Sequence, residues 1–318
     1  MRSEPRIANL LGSGCLLVLL AACGGTQSPA SAHTTIGARS ADTDRGPGGP
    51  GVPLGPRTEL TRGACISYAG SRPTSPTVFI DAGHGGIDTG AVTFFNGTYV
   101  DEKTLNLAVA RDLAVRLHAA GDRVVLARTG DTAVARLRPG YMQSSSYTAR
   151  GARAEIQARV DCANAARAQL LLAIHFDAFY DPYVGGTETL YDGARPFAAR
   201  NRRLARLVQQ ALVSAFHRRG WQVPDRGAQP DSTAGTPALT AQGAAYGHLL
   251  ELGPAVRTWF NRASRMPGVV VEPVFISNDA EVAIATSRQG QQIMAMALAR
   301  AISEYFTPTM ARRTPKIG

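Results

Sequence analysis

The chain has only four cysteines in 318 residues, at positions 15, 23, 65 and 162, too few and too scattered for a disulfide scaffold or a C-x-x-C zinc module. It has no G-x-S-x-G elbow, no Walker loop and no zinc-finger spacing, so the local signatures of a serine hydrolase, a nucleotide-phosphate cradle and a finger domain are all missing. Acidic residues are in deficit. Twenty-four Asp plus Glu face 34 Lys plus Arg, and the resulting charge of +10 comes nearly all from Arg, which favours an anionic partner: nucleic acid, phospholipid or acidic wall polymer. Sign alone does not choose among them. Long hydrophobic runs are lacking too: Leu16-Leu17-Val18-Leu19-Leu20-Ala21-Ala22 falls well short of the about 20 residues that cross a bilayer as a helix. What is present, 44% apolar residues in a chain of this length, is enough for one large domain with appendages and argues against a fibrous or coiled-coil protein.

With Arg2 and Arg6 ahead of it, the short apolar run reads as an export signal over residues 1–22. Its ending, Leu20-Ala21-Ala22-Cys23 followed by Gly24-Gly25, resembles the bacterial lipoprotein cleavage box, in which the Cys becomes the lipidated first residue of the mature chain. An ordinary cleaved signal peptide with an incidental Cys is the alternative. Residues 23–76 are rich in Gly, Pro, Ser, Thr and Ala without periodicity, and are expected to be a lipidated, largely disordered tether, because they bury too little apolar area to offset their ordering entropy. Cleavage removes Cys15 and commits Cys23 to lipid. Cys65 and Cys162 are then left as a free pair in an oxidising, extracytoplasmic compartment, either joined so as to pin the tether's end or as two unrelated thiols.

Beyond the tether the pattern alternates. Thr77-Val78-Phe79-Ile80-Asp81 predicts a strand, and Leu105, Val109, Leu113 and Leu117 predict an amphipathic helix from Lys103 to Ala120, stopped by Gly121. Strands follow at Arg123–Leu126, at Leu170–Ile174 (buried on both faces), at Thr187–Tyr191 and at Val269–Val274; helices follow at Ala154–Ala168, Pro196–Arg219 and Gly290–Tyr305. This order implies one α/β domain over residues 77–307, a mostly parallel twisted sheet flanked by helices on both faces, with residues 308–318 as a tail. Two stretches break the rhythm, Thr129–Arg153 and Trp221–Pro267, and loops of that length usually shape a site or are disordered.

Open parallel sheets place their ligand sites beyond the carboxyl ends of the strands. The first strand runs into Asp81-Ala82-Gly83-His84-Gly85-Gly86, another into Ile174-His175-Phe176-Asp177, and the last contains Val271-Glu272-Pro273; Asp101-Glu102 opens the first helix. His84 lies among glycines that let backbone fold closely around a ligand. For His175 a satisfied core histidine is the alternative, and its company with His84 shifts the reading toward a ligand. Glu102 also suits a helix's first turn for reasons of the macrodipole, although Asp101 is the better placed cap. Glu272 is the hardest to dismiss, since a carboxylate in a buried apolar strand is costly to ionise unless it is paired or near a cation. Two imidazoles and one carboxylate are a recurring ligand set for catalytic zinc, which leaves a fourth position to water of pKa roughly 7. His84, Glu102 and His175 would form that set, with Glu272 as the base that takes the water's proton.

In order and flanking sequence these segments resemble the zinc-dependent N-acetylmuramoyl-L-alanine amidases, the cell-wall hydrolases of amidase type 3. The likeness rests on Val78–Gly86, Glu102-Lys103-Thr104-Leu105-Asn106-Leu107, Arg159 with Asn164, Ala173-Ile174-His175, Gly186-Thr187-Glu188-Thr189 and Val271–Asn278, and covers about Thr77 to Phe306. It implies zinc held by His84, Glu102 and His175, Glu272 as the catalytic glutamate, and peptidoglycan as the substrate, cut at the amide between N-acetylmuramic acid and the L-alanine of the stem peptide. Arg159 and Asn164 read as structural, and Asp81 as an orienting partner for His84's second ring nitrogen.

The sequence departs from the family pattern at Ala82, at Phe176-Asp177 and at Pro273-Val274. Its 221–267 segment is longer than expected, a candidate lid whose His248 and Glu251 are within reach of the site but are assigned no role; whether a protein activator opens it is left open. His33, His118 and His217 carry no site signal, and Cys162 has no flanking feature of an activated thiolate. The competing readings are a catalytically weak wall-binding lipoprotein of the same fold, which should lack one of the four site residues, and a basic protein that binds nucleic acid or anionic membrane, which leaves the strand-end histidines unexplained. The expected setting is therefore the bacterial cell envelope, outside the cytoplasm, with membrane attachment through a lipid on Cys23 and no nucleic acid.

Overall fold

Strand length and apolar alternation decide this architecture. In the computed structural model, which describes residues 47, 51–56, 58–233 and 241–307, the elements run β1 (Val52–Pro53), β2 (Ala64–Tyr68), β3 (Thr77–Ala82), the hairpin β4 (Val92–Phe95) and β5 (Thr98–Asp101), α1 (Glu102–Ala119) and β6 (Arg123–Arg128). They continue through the short hairpin β7 (Met142–Gln143) and β8 (Ser146–Tyr147), α2 (Ala149–Ala165), β9 (Leu170–Ile174), β10 (Thr187–Tyr191), α3 (Ala198–His217), β11 (Asp225–Pro230), α4 (Ala241–Tyr246), β12 (Gly268–Glu272), α5 (Asp279–Thr286) and α6 (Arg288–Phe306). The expected export signal, Cys23 and the tail at 308–318 lie outside the described residues.

Eight strands form one sheet in the order β1-β2-β6-β3-β9-β12-β10-β11. Its centre, β6-β3-β9-β12, is parallel, with Ile80 level with Leu126 on one side and Leu172 on the other. β2 and β10 run antiparallel to the strands they border in that centre. Because side chains alternate along a strand, β3 feeds two cores. Val78 and Ile80 pack with Leu172, Leu113 of α1, Leu212 of α3 and Leu298 of α6; Phe79 packs on the other face with Val125, Leu171 and Val270 and with Cys162 and Ala163 of α2. Burying each such leucine fully contributes about 1.5–3 kcal/mol, which is why central strands with no polar face are stable here.

The α/β fold with helices on both faces is as the alternation predicts; beyond shifts of a few residues at element ends, the larger departures are at the tether, at the start of α2 and in the 221–267 segment. The expected tether to residue 76 gives way earlier to folded chain, since β2 pairs with β6 and places Ile66 opposite Leu126. A disulfide between Cys65 and Cys162 joins this strand to α2 across 97 residues of sequence. Five residues are too short for periodicity to show; the unfilled edge of β6 and the second core recruit them. α2 starts five residues before the expected Ala154, because Thr148 Oγ1 accepts a hydrogen bond from Gly151 N and so caps the helix. The described part of 221–267 is not a free lid: β11 pairs parallel with β10, while Leu249, Leu252 and Met266 fill the core on the α2 face. Glycine and proline interruptions hide those anchors from a periodicity search.

Candidate active site

β3 and β9 are hydrogen-bonded neighbours with Ala82 level with Ile174, so the residues just beyond them, Gly83-His84 and His175, emerge side by side. His84 has φ +60°, a left-handed conformation that costs a non-glycine residue roughly 1–2 kcal/mol. Buried donors hold that turn. Arg128 Nε donates to Ala82 O at 2.9 Å and its Nη2 to Gly83 O at 3.0 Å, Asn106 Nδ2 to Gly83 O at 3.1 Å, and Arg159 Nη2 to His84 O at 2.7 Å. Burial, followed by the nearby Arg159 charge, lowers the Arg128 pKa to about 10, so Arg128 stays a cation at neutral pH. Gly83 is needed because a Cβ there would stand 2.3 Å from the His175 ring.

Glu102 opens α1 but does not cap it. Its Oε2 accepts from Ala91 N at 2.9 Å, and its Oε1 accepts from Phe176 N at 3.1 Å and from Asn106 Nδ2 at 3.2 Å. The carboxylate is thereby turned toward the two imidazoles. His84 Nε2 lies 3.1 Å and His175 Nδ1 3.0 Å from Glu102 Oε1, and the two nitrogens are 3.2 Å apart. Three electron-rich atoms thus converge on one point. Ligand atoms held about 2.0–2.2 Å from a tetrahedral ion would be about 3.3–3.6 Å from one another, so the observed spacings lie a few tenths of an ångström inside those of a zinc site. Gly90 completes the cradle: a Cβ there would fall 2.4 Å from Glu102 Oε2. The donor set and its spacing fit a divalent ion. Without one, burial opposes charge on His84, yet Glu102 and then Asp88 push its pKa up to about 10. Burial likewise opposes charge on Glu102, and His84 and His175 hold its pKa well below the usual carboxylate range.

Glu272 ends β12, the strand beside β9, where His175 N donates to Val271 O at 3.0 Å. It is 1% exposed, and neither carboxylate oxygen has a hydrogen-bond partner. Burial, then the charges of Asp177, Glu102 and Glu188, raises its pKa well above the usual carboxylate value. Glu188 sits directly opposite it in β10 and is itself paired with Arg226 at 3.0 Å.

All four residues singled out in the sequence are therefore drawn to one end of the sheet. The orienting residue is different. Asp81 does not reach His84; it is ion-paired with Arg159, and Asp88 Oδ2 contacts His84 Nδ1 at 2.9 Å instead. A Gly-rich turn reverses the chain between His84 and Asp88, with Gly85 N donating to Asp88 O at 2.9 Å, so the carboxylate four residues on returns to the ring. That spacing is visible in the sequence but uninformative without the turn. Arg159 has the structural part expected of it, bonding Asp81, Glu155, Ala82 O and His84 O, and Asn164 ties the backbone of Ala263 and Arg265. Neither His248 nor Glu251 enters the cluster. Glu251 is buried, and burial followed by the charge of Asp81 raises its pKa well above the usual value; His248 contacts Asp192.

Fold and site together define a class, an α/β domain with a cluster of potential metal ligands at the carboxyl ends of its parallel strands. More narrowly, the chain belongs to the N-acetylmuramoyl-L-alanine amidase family of type 3, whose family model matches residues 78–304. The N-acetylmuramoyl-L-alanine amidase LytC of Bacillus subtilis (strain 168) is 31% identical over 205 residues, which cover 64% of this chain and 30% of LytC, so the chain spans under a third of that relative. An N-acetylmuramoyl-L-alanine amidase from Clostridium difficile 630 superposes with a TM-score of 0.51 at 26% identity, covering 73% of this chain and 96% of that one. The fold is shared as well with the CwlD amidase from Clostridioides difficile, solved in complex with the GerS lipoprotein, at a TM-score of 0.54 and 22% identity over 73% of this chain and 98% of that one.

Proposed function

We propose that this protein cleaves peptidoglycan at the amide between the lactyl group of N-acetylmuramic acid and the L-alanine of the stem peptide, as a zinc-dependent enzyme of the bacterial cell envelope. The observation that carries the reading is the convergence of His84 Nε2, Glu102 Oε1 and His175 Nδ1 within 3.0–3.2 Å of one another, at the same end of the sheet as the unpartnered carboxylate of Glu272. Those three atoms would hold the zinc, which when bound supplies Lewis acidity toward the amide carbonyl and toward water.

The protein's own groups account for the proton movements. In its ionised form Glu272 accepts a proton from the water that adds to the carbonyl carbon, and then returns it to the amide nitrogen as the C–N bond breaks. The products are a lactyl carboxylate on the glycan and a free α-amino group on the stem peptide. A carboxyl group whose surroundings raise its pKa is a weaker acid and so a stronger base than a free one, which suits both halves of that exchange. Asp88, bonded to His84 Nδ1, fixes the ring so that Nε2 faces the cluster. Phe94 and Tyr99 on the hairpin leading into Glu102, and Tyr180 and Tyr183 on the segment leaving His175, expose rings suited to packing on sugar and peptide.

The reading includes export by residues 1–22, a lipid on Cys23 that anchors the protein to a membrane, and a tether ending before β1. Arg-rich charge would then raise encounter rates with an anionic wall and do so less at high salt. A protein activator remains part of the reading, as the CwlD amidase is solved with the GerS lipoprotein, but it would not act by lifting the described portion of the 221–267 segment, which is built into the sheet and core. The test is digestion of purified peptidoglycan with and without a chelator, followed by mass analysis. Free stem peptides beginning with L-alanine, and intact glycan strands, are expected only without chelator. Cleaved glycan, or full activity in chelator, would overturn the reading.

A further inference from the structure

Away from the reaction centre, two buried carboxylates and an imidazole meet at the other end of β10. β10 runs antiparallel to β12 and begins beside the reaction centre, where Glu188 faces Glu272; Asp192, four residues further on, is roughly 13 Å away along the strand. Asp231 follows β11, and His248 follows α4. One ligand atom from each of the three lies within 4.8 Å of the other two. His248 Nδ1 is 2.8 Å from Asp192 Oδ2 and 3.5 Å from Asp231 Oδ1, and the side chains of Asp192 and Asp231 are 0% and 1% exposed.

The distances suggest hydrogen bonds, but the alignment does not. His248 Nδ1, Asp192 Oδ2 and Asp231 Oδ1 are each without a hydrogen-bond partner. The other oxygen of each carboxylate is held by backbone amides. Asp192 Oδ1 accepts from Ala194 N at 2.7 Å and Arg195 N at 3.0 Å, and Asp231 Oδ2 accepts from Leu249 N at 3.0 Å. Backbone amides therefore orient both carboxylates and leave one free oxygen on each, both directed at the same imidazole nitrogen. Two buried carboxylates so close repel, and burial followed by Asp192 raises the Asp231 pKa to about 6.

We infer that Asp192 Oδ2, Asp231 Oδ1 and His248 Nδ1 form a second, structural site for a divalent first-row metal ion. Two carboxylates balance the ion's charge, and the imidazole favours zinc over calcium or magnesium. The ion would fasten the start and end of the 231–248 segment to the end of β10. It would also fix the approach to Leu249, Glu251 and Leu252, which are buried against the sheet. Tyr246 braces the imidazole from outside, its ring 5.3 Å from that of His248 and its hydroxyl donating to Pro254 O at 2.7 Å.

The test counts zinc bound per whole chain after dialysis against buffered zinc chloride, using elemental mass spectrometry. The wild type should hold two, His248→Ala one, His84→Ala one and the double variant none. Asp231→Asn, which keeps shape, should lose at least tenfold in affinity for one of the two ions while keeping its circular dichroism and hydrolysing peptidoglycan within a few-fold of the wild type. A wild type that holds one ion, lost in His84→Ala and kept in His248→Ala and Asp231→Asn, overturns the inference and leaves the proposed reaction centre intact. One ion lost in His248→Ala but kept in His84→Ala supports the second site and removes metal from the reaction centre.

Discussion

Replacing Glu272 by glutamine should move activity and stability in opposite directions. Glutamine keeps the size of the side chain but exchanges no proton. A positioned general acid or base contributes about 10²–10⁴-fold, equivalent to about 2.7–5.5 kcal/mol of barrier. Release of stem peptides from peptidoglycan at neutral pH should fall by that factor, with zinc at the His84, Glu102 and His175 cluster unchanged. The stability effect follows from the environment. Burial, Asp177, Glu102 and Glu188 raise the Glu272 pKa, so the folded protein holds this proton more tightly than the unfolded chain does. The stability from that proton is complete below the unfolded value of about 4.3 and is lost as pH rises through the raised folded value. Within that interval the loss is about 1.4 kcal/mol per pH unit, and glutamine escapes it. Urea unfolding of chelator-treated protein between pH 4 and pH 8 should therefore show the variant gaining on the wild type as pH rises. Turnover within a few-fold of wild type would remove Glu272 from the mechanism; a stability difference that is flat across this range would show that its neighbours do not act on it as described.

Gly83→Ala places a Cβ 2.3 Å from the His175 ring and should lower zinc affinity and hydrolysis by about 10–100-fold, measured by zinc titration, while Gly130→Ala, with nothing within 4 Å, should change neither. Arg159→Leu removes the countercharge of the buried Asp81 and Glu155 carboxylates and should cost about 3–5 kcal/mol in urea unfolding, with unchanged stability refuting the pairing. The double variant Cys65→Ala/Cys162→Ala should lose about 2–4 kcal/mol, because the bridge closes a loop of 97 residues, while still hydrolysing peptidoglycan; an unaltered urea midpoint would mean that the cross-link does not restrain the unfolded chain.

Much of the candidate site was legible before any coordinates. A carboxylate in Val269-Val270-Val271-Glu272 conflicts with its surroundings, and His84 and His175 follow apolar strands where parallel sheets present ligand sites. Less legible were the partners that come from other turns. Asp88 rather than Asp81 reaches His84, since β3 sends Asp81 toward Arg159 on α2 while the glycine turn brings Asp88 back. Asp192, Asp231 and His248 belong to no motif, because each ends or follows a different element and only the neighbouring positions of β10 and β11 bring them together.

By itself, the chain's order of residues determined the alternation of strands and helices, the parallel sheet and the four chemically costly side chains, all of which depend on local pattern and on the energy of burying charge. Tertiary structure alone decided that Ala64–Tyr68 joins the sheet, that the 221–267 segment packs as core, and which nitrogen or oxygen of each side chain faces which neighbour. The physical reason is one of range: hydrophobic period and propensity act over a few residues, whereas strand edges, core vacancies and convergent polar atoms exist only once distant segments are in contact.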